Sequence, residues 1–345
     1  MHILIVKTSS LGDVLHTLPA VSDAAAAIPG FRCDWVVEEA FAAVPAWHPA
    51  VARVIPVATR RWRKAPLVVA GEKRRFVKGL RARTYDRVID AQGLLKSAML
   101  ARLARGPRCG LAASCVREPL AARFYQSHVE LPAEMHAVER LRGLFAACLG
   151  YSLPATAPDY GIRHEALAAR AGLIPEQPYL MFLHGTTWDS KHWPEAHWAQ
   201  LIGLARGAGY QILLPWGNDD EHARASRLAL SGGARVLPAT TLGELGALLQ
   251  ASRGAVAVDS GLSHLAAALS LPCVSLYGPT DPARTGAAGA RQVHVAAQFA
   301  CAPCLERRCR YPRPTPVRPA CFQDMSAARV WDTLIALIEH AAPHD

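Results

Sequence analysis

The sequence predicts an α/β protein built as two doubly wound domains in tandem. Three observations carry this. Short apolar runs of strand length alternate with helical stretches, and the alternation starts afresh after a polar, Pro-bearing segment at 151–178. At 345 residues the chain also exceeds what one ordinary core holds. The expected divisions are an N-terminal domain at 1–160, a C-terminal domain at 161–325, and a last helix at 326–345 that can pack back on the first domain.

The elements follow in order. Residues 2–7 form a near-continuous apolar run ending on Lys7, as in a parallel strand covered on both faces. Thr8-Ser9-Ser10 turns the chain, and a helical pattern covers 13–28. Further strands are expected at 33–37, 51–57 and 87–90, with helices near 67–83, 94–104 and 135–149. The second half repeats the plan with strands at 179–184, 210–215, 235–237, 255–258 and 273–277, and helices between them. Thr241-Leu242-Gly243-Glu244 has the form of a capping box and opens a helix to about residue 252. A final helix at 326–340 sets Val330, Leu334, Leu337 and Ile338 on one face. Two such sheets put a ligand cleft between the domains, at the carboxyl ends of the strands. No Gly-x-Gly-x-x-Gly follows a strand and no Gly-x-x-x-x-Gly-Lys-Ser/Thr occurs, so dehydrogenase and P-loop readings lose most of their weight.

Composition is globular, 51% hydrophobic and 19% charged, with no apolar run near the roughly 18 residues of a membrane span. The start, Met1-His2-Ile3-Leu4-Ile5-Val6-Lys7, lacks the form of a signal peptide, and a cytoplasmic protein is expected. Nine cysteines in such a chain read as thiols or metal ligands before a disulfide framework. Charge is uneven. Residues 1–150 hold 22 Lys+Arg against 12 Asp+Glu, whereas 151–345 hold 16 of each. The whole formal excess of +10 therefore sits in the first half, which is either a solvated basic face or a surface that meets something anionic.

Residues that can carry chemistry cluster where strands end. Lys7, Ser9, Ser10, Gly12 and Asp13 lie where the first strand passes into a helix, a place that suits an anion and keeps a carboxylate ionised. Asp13 is either a helix cap or a general base for an acceptor hydroxyl. Arg60-Arg61-Trp62-Arg63-Lys64, followed by Lys73, Arg74, Arg75 and Lys78, can meet phosphates or carboxylates, or form a solvated face. Arg117, His136 and Arg140 add cations to the same domain. Only Trp62 is interleaved with the basic run, so nucleic acid is not an expected partner. In the second half, Thr186, Thr187 and Lys191 follow a strand directly and suit a diphosphate; Asp259-Ser260-Gly261-Leu262-Ser263-His264 is the matching segment, for which ordinary helix capping is the alternative, weakened by the presence of two such sites in one domain. Glu221 can bind a ribose or base edge, or serve as a first-turn acid. Cys301, Cys304, Cys309 and Cys321 give C-x2-C-x4-C-x11-C, compatible with a structural four-thiolate site for zinc or iron, or with incidental thiols.

Several segments resemble one family. Val6-Lys7-Thr8-Ser9-Ser10-Leu11-Gly12-Asp13-Val14-Leu15-His16-Thr17-Leu18-Pro19, Asp34-Trp35-Val36-Val37-Glu38-Glu39, Asp90-Ala91-Gln92-Gly93-Leu94, Lys191-His192-Trp193-Pro194, Asp259-Ser260-Gly261-Leu262-Ser263-His264-Leu265 and Tyr277-Gly278-Pro279-Thr280-Asp281-Pro282 are similar to the lipopolysaccharide heptosyltransferases of glycosyltransferase family 9. Arg60-Arg61-Trp62-Arg63-Lys64 resembles the members that add the first heptose. The resemblance implies a GT-B fold and inverting transfer of L-glycero-D-manno-heptose from ADP-heptose to Kdo2-lipid A. It implies Asp13 as the base, and Thr186, Thr187, Lys191, Glu221, Thr240, Asp259, Ser260, Gly261 and His264 as the donor site. Thr240 stands where the family often has Met. Lys7, Ser9, Ser10, Arg60, Arg61, Arg63, Lys64, Arg117, His136 and Arg140 would meet the acceptor. No metal is needed for chemistry on this reading. The enzyme would act as a monomer, held peripherally at the cytoplasmic face of the inner membrane. Alternatives are another ADP-heptose transferase, acting on an already heptosylated core or a protein, and a non-catalytic anion-binding module. The 301–321 segment departs from the best-known member in its length and its Cys, Arg and Pro content.

Overall fold

The computed structural model describes residues 1–64 and 70–341, and the chain divides into two units, Met1–His164 and Glu165–Asp345. The first unit contains β1 (His2–Val6), α1 (Leu11–Ala27), β2 (Arg32–Glu38), α2 (Ala43–Ala46), β3 (Val51–Val57), α3 (Thr59–Lys64) and α4 (Ala70–Leu80). It continues with β4 (Arg87–Asp90), α5 (Leu95–Leu103), β5 (Arg108–Leu111), β6 (Ser127–Val129) and α6 (Ala137–Leu149). Its six strands are all parallel, in the order β3-β2-β1-β4-β5-β6.

The second unit contains β7 (Tyr179–Leu183), α7 (Glu195–Gly207), β8 (Gln211–Leu214), α8 (Asp219–Gly232), β9 (Arg235–Val236) and α9 (Leu242–Ala251). Then come β10 (Gly254–Val258), α10 (Gly261–Ala268), β11 (Cys273–Tyr277), α11 (Pro282–Thr285), β12 (Gln292–Ala296) and α12 (Ala327–Ala341). Its order, β12-β11-β10-β7-β8-β9, is again all parallel and repeats the first unit's topology. In each sheet the winding reverses beside its first strand, between β1 and β4 and between β7 and β10. Loops leaving two such strands diverge and open a crevice, the usual ligand position in this architecture.

The packing follows from the sequence pattern. Strands β7, β10 and β11 are buried at every residue, as parallel strands covered on both faces must be. Val330 and Leu334 of α12 are fully buried in the core of the second unit, beside Phe322 and Met325. The last helix thus uses its apolar stripe within the second unit, whereas the sequence alone allowed packing on the first. Strands β5, β6 and β12 have no counterpart among the expected strands. The first two have four and three residues, and the third, on the sheet edge, interrupts its valines with His294, so none has an apolar run to reveal it. The expected helix at 67–83 begins partly outside the described residues; its described part is α4.

One expectation about cysteines is corrected. Cys109 on β5 and Cys148 on α6 form a disulfide across 39 residues, with Cα atoms 6.0 Å apart. Pairing of a strand with a helix two elements later leaves no spacing signal. Among the described residues, no helix is long and apolar enough to cross a membrane.

Candidate functional site

In the first unit the site grows from the carboxyl ends of β1 and β4. Ser10 is the N-cap of α1, and Asp13, at the third helical position, reaches back to it. One Asp13 oxygen accepts the Ser10 N–H at 2.8 Å and the Ser10 hydroxyl at 2.9 Å. The other lies 3.4 Å from Lys7 Nζ, and Lys7 also donates to the Ala91 carbonyl at 3.1 Å. Burial by itself raises the Asp13 carboxyl, but the Lys7 charge, the Ser10 N–H and the nearby His16 outweigh it and bring it down to about 2. With 46% of its side chain exposed, Asp13 is an ionised carboxylate open to a ligand. It is both a cap and a candidate base.

Gln92, just past β4, splints the loop that precedes Asp13. Its Oε1 accepts from the Thr8 N–H at 2.7 Å, the Thr8 hydroxyl at 2.9 Å and the Ser9 N–H at 3.3 Å, and its Nε2 donates to Ser9 O at 2.7 Å. Beneath it, buried Asp90 accepts from the Gln92 and Gly93 N–H groups, the Ser97 hydroxyl and the Tyr125 hydroxyl. Burial pushes the Asp90 carboxyl up, against the pull of these four donors. Gly93 has φ +69°, and a Cβ there would meet Val116 at 2.9 Å. Lys96 Nζ lies 3.4 Å from Ser9 Oγ. Asp90, Gln92 and Lys96 were not among the expected site residues. The available signal was the Asp-Ala-Gln-Gly turn leaving a strand at the reversal of the winding.

The expected acceptor cations divide. Trp62 is buried edge-on against Phe76, with centroids 5.3 Å apart, and so anchors α3. Arg61 forms exposed ion pairs with Glu39 at 3.0 Å and Glu72 at 2.8 Å. Arg63 and Lys64 are exposed on the same helix, and the Arg60 side chain lies outside the described residues. His136 caps α6, accepting the Val138 N–H at 3.3 Å, and its ring lies 6.1 Å from that of His16, one turn beyond Asp13. Arg140, one turn further along α6, donates to the Cys115 carbonyl, while its Nε is buried without a partner. Arg117 is exposed in the following loop. Asp13, His16 and His136 are therefore brought together, with Arg140 next in line.

In the second unit the loops after β7 and β10 meet. Lys191 Nζ lies 2.6 Å from an Asp259 oxygen that also accepts the Thr280 hydroxyl at 2.6 Å. The Thr186 hydroxyl donates to the Asp259 carbonyl at 3.1 Å, and Lys191 sits over the Trp188 ring at 4.6 Å. Thr187 is exposed in the same loop. A bare carboxylate here would repel a diphosphate, and Lys191 with Thr280 neutralises and orients it. Ser260 caps α10, which begins at Gly261 and places His264 buried in its first turn. The hydroxyls of Ser260 and Thr240 are buried without a hydrogen-bond partner. Glu221 accepts the Gly217 N–H at 2.7 Å, and a Cβ on Gly185 would stand 2.7 Å from its carboxyl carbon. Gly185 is thus the residue that lets the β7 and β8 loops close on each other. His184, ending the same strand, is 1% exposed, and burial with the Arg224 charge lowers it to about 4, so the ring is neutral. Thr280 and His184 were not expected as site residues.

The four tail thiols present a different picture from their spacing. Cys301 and Cys304 are exposed, whereas Cys321 is buried beside Phe322. Burial, with the neighbouring thiols, pushes Cys321 up to about 12. Among the described residues no three His, Cys, Asp or Glu side chains are placed to hold a metal ion, while Cys301, Cys304 and Cys309 lie near enough to Cys321 to raise its thiol.

The family model of glycosyltransferase family 9 (heptosyltransferase) matches residues 73–314. The chain is 51% identical to lipopolysaccharide heptosyltransferase 1 of Pseudomonas aeruginosa over 352 residues, covering 98% of each. It is 52% identical to the Escherichia coli K12 protein of the same name, covering 85% of this chain and 92% of that one. Among solved structures, the E. coli heptosyltransferase WaaC with ADP matches at TM-score 0.86 and 45% identity, covering 98% of this chain and 100% of that one. The same enzyme with ADP-2-deoxy-2-fluoro heptose matches at TM-score 0.81. The two repeated sheets are accordingly the two halves of a GT-B glycosyltransferase, and the chain belongs to glycosyltransferase family 9, the heptosyltransferases.

Proposed function

We propose that the protein transfers L-glycero-D-manno-heptose from ADP-heptose to Kdo2-lipid A, with inversion at the sugar carbon, in building the lipopolysaccharide inner core. The observation that carries the mechanism is the ionised, half-exposed Asp13 beside Lys7. Asp13 takes the proton from an acceptor hydroxyl as its oxygen attacks the anomeric carbon, and the bond from that carbon to the ADP oxygen breaks. Charge then collects on the departing diphosphate. Lys191 has three N–H donors, so it can serve the diphosphate while keeping Asp259. The N-terminus of α10 and the hydroxyls of Thr186 and Thr187 add donors, so this reading needs no metal for chemistry. Ser260, Thr240, Glu221 and His264 hold nucleotide and sugar in it. Lys7, Ser9, Ser10, Arg63, Lys64, Arg117, His136 and Arg140 meet the acceptor's carboxylates and phosphates. Arg61 joins them in this reading, its exposed pairs with Glu39 and Glu72 leaving it open to acceptor.

The same reading puts the enzyme in the cytoplasm, peripherally on the inner membrane where a lipid acceptor resides. Asp13→Asn should bind ADP-heptose normally and turn over at least about 100-fold slower. Full activity in that variant would remove Asp13 from the chemistry. Product on a heptosylated core or a protein, with none on Kdo2-lipid A, would reassign the acceptor. The structural zinc or iron suggested by the Cys spacing has a separate test. Stoichiometric metal in purified protein, lost on Cys304→Ser, would support it, and metal-free folded protein would end it.

A further inference from the structure

A second concavity lies away from the Asp13 loop. A groove of about 640 Å³ is lined by Lys73, Arg74, Lys78, Arg81 and Arg105, over a floor that includes Val77 and Ala82. It runs along the outer side of α4 to the residues that follow α5. Both helices pack through Phe76, Leu80, Leu100 and Ala101 on the same core cluster, and Arg81 Nε donates to the Leu103 carbonyl at 2.9 Å. Their outer sides therefore form one surface. Five cations line the groove and no acid does. Glu72, the one acid on α4, is held by Arg61.

The surface has an apolar component beside its charge. Between the groove and the acceptor loop, α5 exposes Met99 at 55% and, at its start, Leu95 at 37%, one helical turn apart, with Lys96 and Arg102 beside them and Glu118 accepting the Leu95 N–H at 2.7 Å. An aqueous surface gains nothing from such residues. An interface that takes phosphates at one level and acyl carbons just below uses both, with Lys and Arg stems lying along the apolar level. The cations from Lys73 to Arg81 are spread over about 12 Å of helix, too far apart for a single phosphate and suited to several headgroups side by side. No aromatic lines the groove to stack a base, as a nucleic-acid channel needs.

We propose that the α4–α5 face is where the protein docks on a bilayer carrying anionic phospholipid headgroups. The purpose of this docking rests on the lipid-acceptor reading above. The groove stands at the amino-terminal side of β4 and β5, while Lys96 at the start of α5 touches Ser9 of the acceptor loop. Helix α5, about 13 Å long, links the two, so a docked surface brings lipid-borne acceptor within one helix of Asp13.

The test uses the full chain and vesicles without acceptor. Co-sedimentation should be strong with phosphatidylglycerol-containing vesicles at low salt, weak at high salt, and weak with purely zwitterionic vesicles. Each cation near the surface contributes about fivefold in partitioning. The triple variant Lys73→Gln/Lys78→Gln/Arg105→Gln should therefore bind roughly 100-fold more weakly. Met99→Ser should weaken the binding that persists at high salt. Transfer to a deacylated, water-soluble acceptor should be unchanged in both variants, which shows that they fold and separates docking from catalysis. Equal binding by wild type and triple variant, equal binding to both kinds of vesicle, or tighter binding to single-stranded DNA than to vesicles at equal phosphate concentration would each overturn the proposal. Because these vesicles hold no acceptor, failure of heptose transfer to Kdo2-lipid A would leave this result standing.

Discussion

In the proposed mechanism Asp13 does two jobs with one carboxylate, and Lys7 governs the second. As a cap it satisfies the Ser10 N–H, and as a base it must be ionised at working pH. Lys7 is the largest of the influences that hold it down at about 2. Removing that positive charge raises the Asp13 carboxyl towards the ordinary range, so Lys7→Met should move the acid limb of the kcat/KM profile to higher pH. An unmoved limb would show that Lys7 binds acceptor without setting the base. Lys7, Ser9, Ser10 and Asp13 were legible because they sit between an apolar run and a helical pattern. Gln92 was not, since its role needs β4 laid beside β1, 84 residues away in sequence from Thr8. Nor could sequence show that Arg61 is paired, because Glu39 and Glu72 come to it from either side along the chain.

At the scale of elements, burial decides what could be read. Strands β7, β10 and β11 announce themselves as apolar runs, whereas β5 contains Arg108, Cys109 and Gly110 and looks like a turn. The α12 stripe was equally plain, and Leu334 on it is fully buried. Leu334→Ala should cost about 2–5 kcal/mol in chemical denaturation, and a loss well below that would mean the helix is only lightly docked. The strand-end histidines make a different prediction. Burial first, with the Arg224 charge at both, holds His184 and His192 at about 4; burial likewise holds His48 at about 4. All three are therefore neutral when folded, while the unfolded chain takes up protons near pH 6.5. Their contribution is complete above that pH and is lost progressively as pH falls from about 6.5 towards 4. Thermal midpoints should decline across that window, and His184→Gln should flatten the decline. A midpoint constant from pH 7 to 4.5 would contradict the buried, neutral rings.

The whole molecule is electrostatically lopsided. Residues 1–150 carry the entire +10 excess, and the rest are balanced. Attraction between exposed charges fades once the screening length drops to about 10 Å at 0.1 M salt. Raising ionic strength should therefore increase KM for the anionic lipid acceptor more than KM for ADP-heptose. Equal increases would place the acceptor's anionic groups elsewhere. That two domains exist was readable from the repeated strand–helix rhythm. That both sheets have the same strand order was not, because β5, β6 and β12, which complete them, are short and lack an apolar run. The shared order has an evolutionary corollary. On the proposed reading each sheet carries its chemistry on loops leaving two central strands, and the ladders beneath do not depend on what those loops say. One half of such a chain can drift to a new acceptor by rewriting residues 7–13 and 90–96 while the other keeps its nucleotide sugar. A descendant with altered product and unaltered donor is thus a small mutational step away, and loop grafting between relatives is the laboratory form of that step.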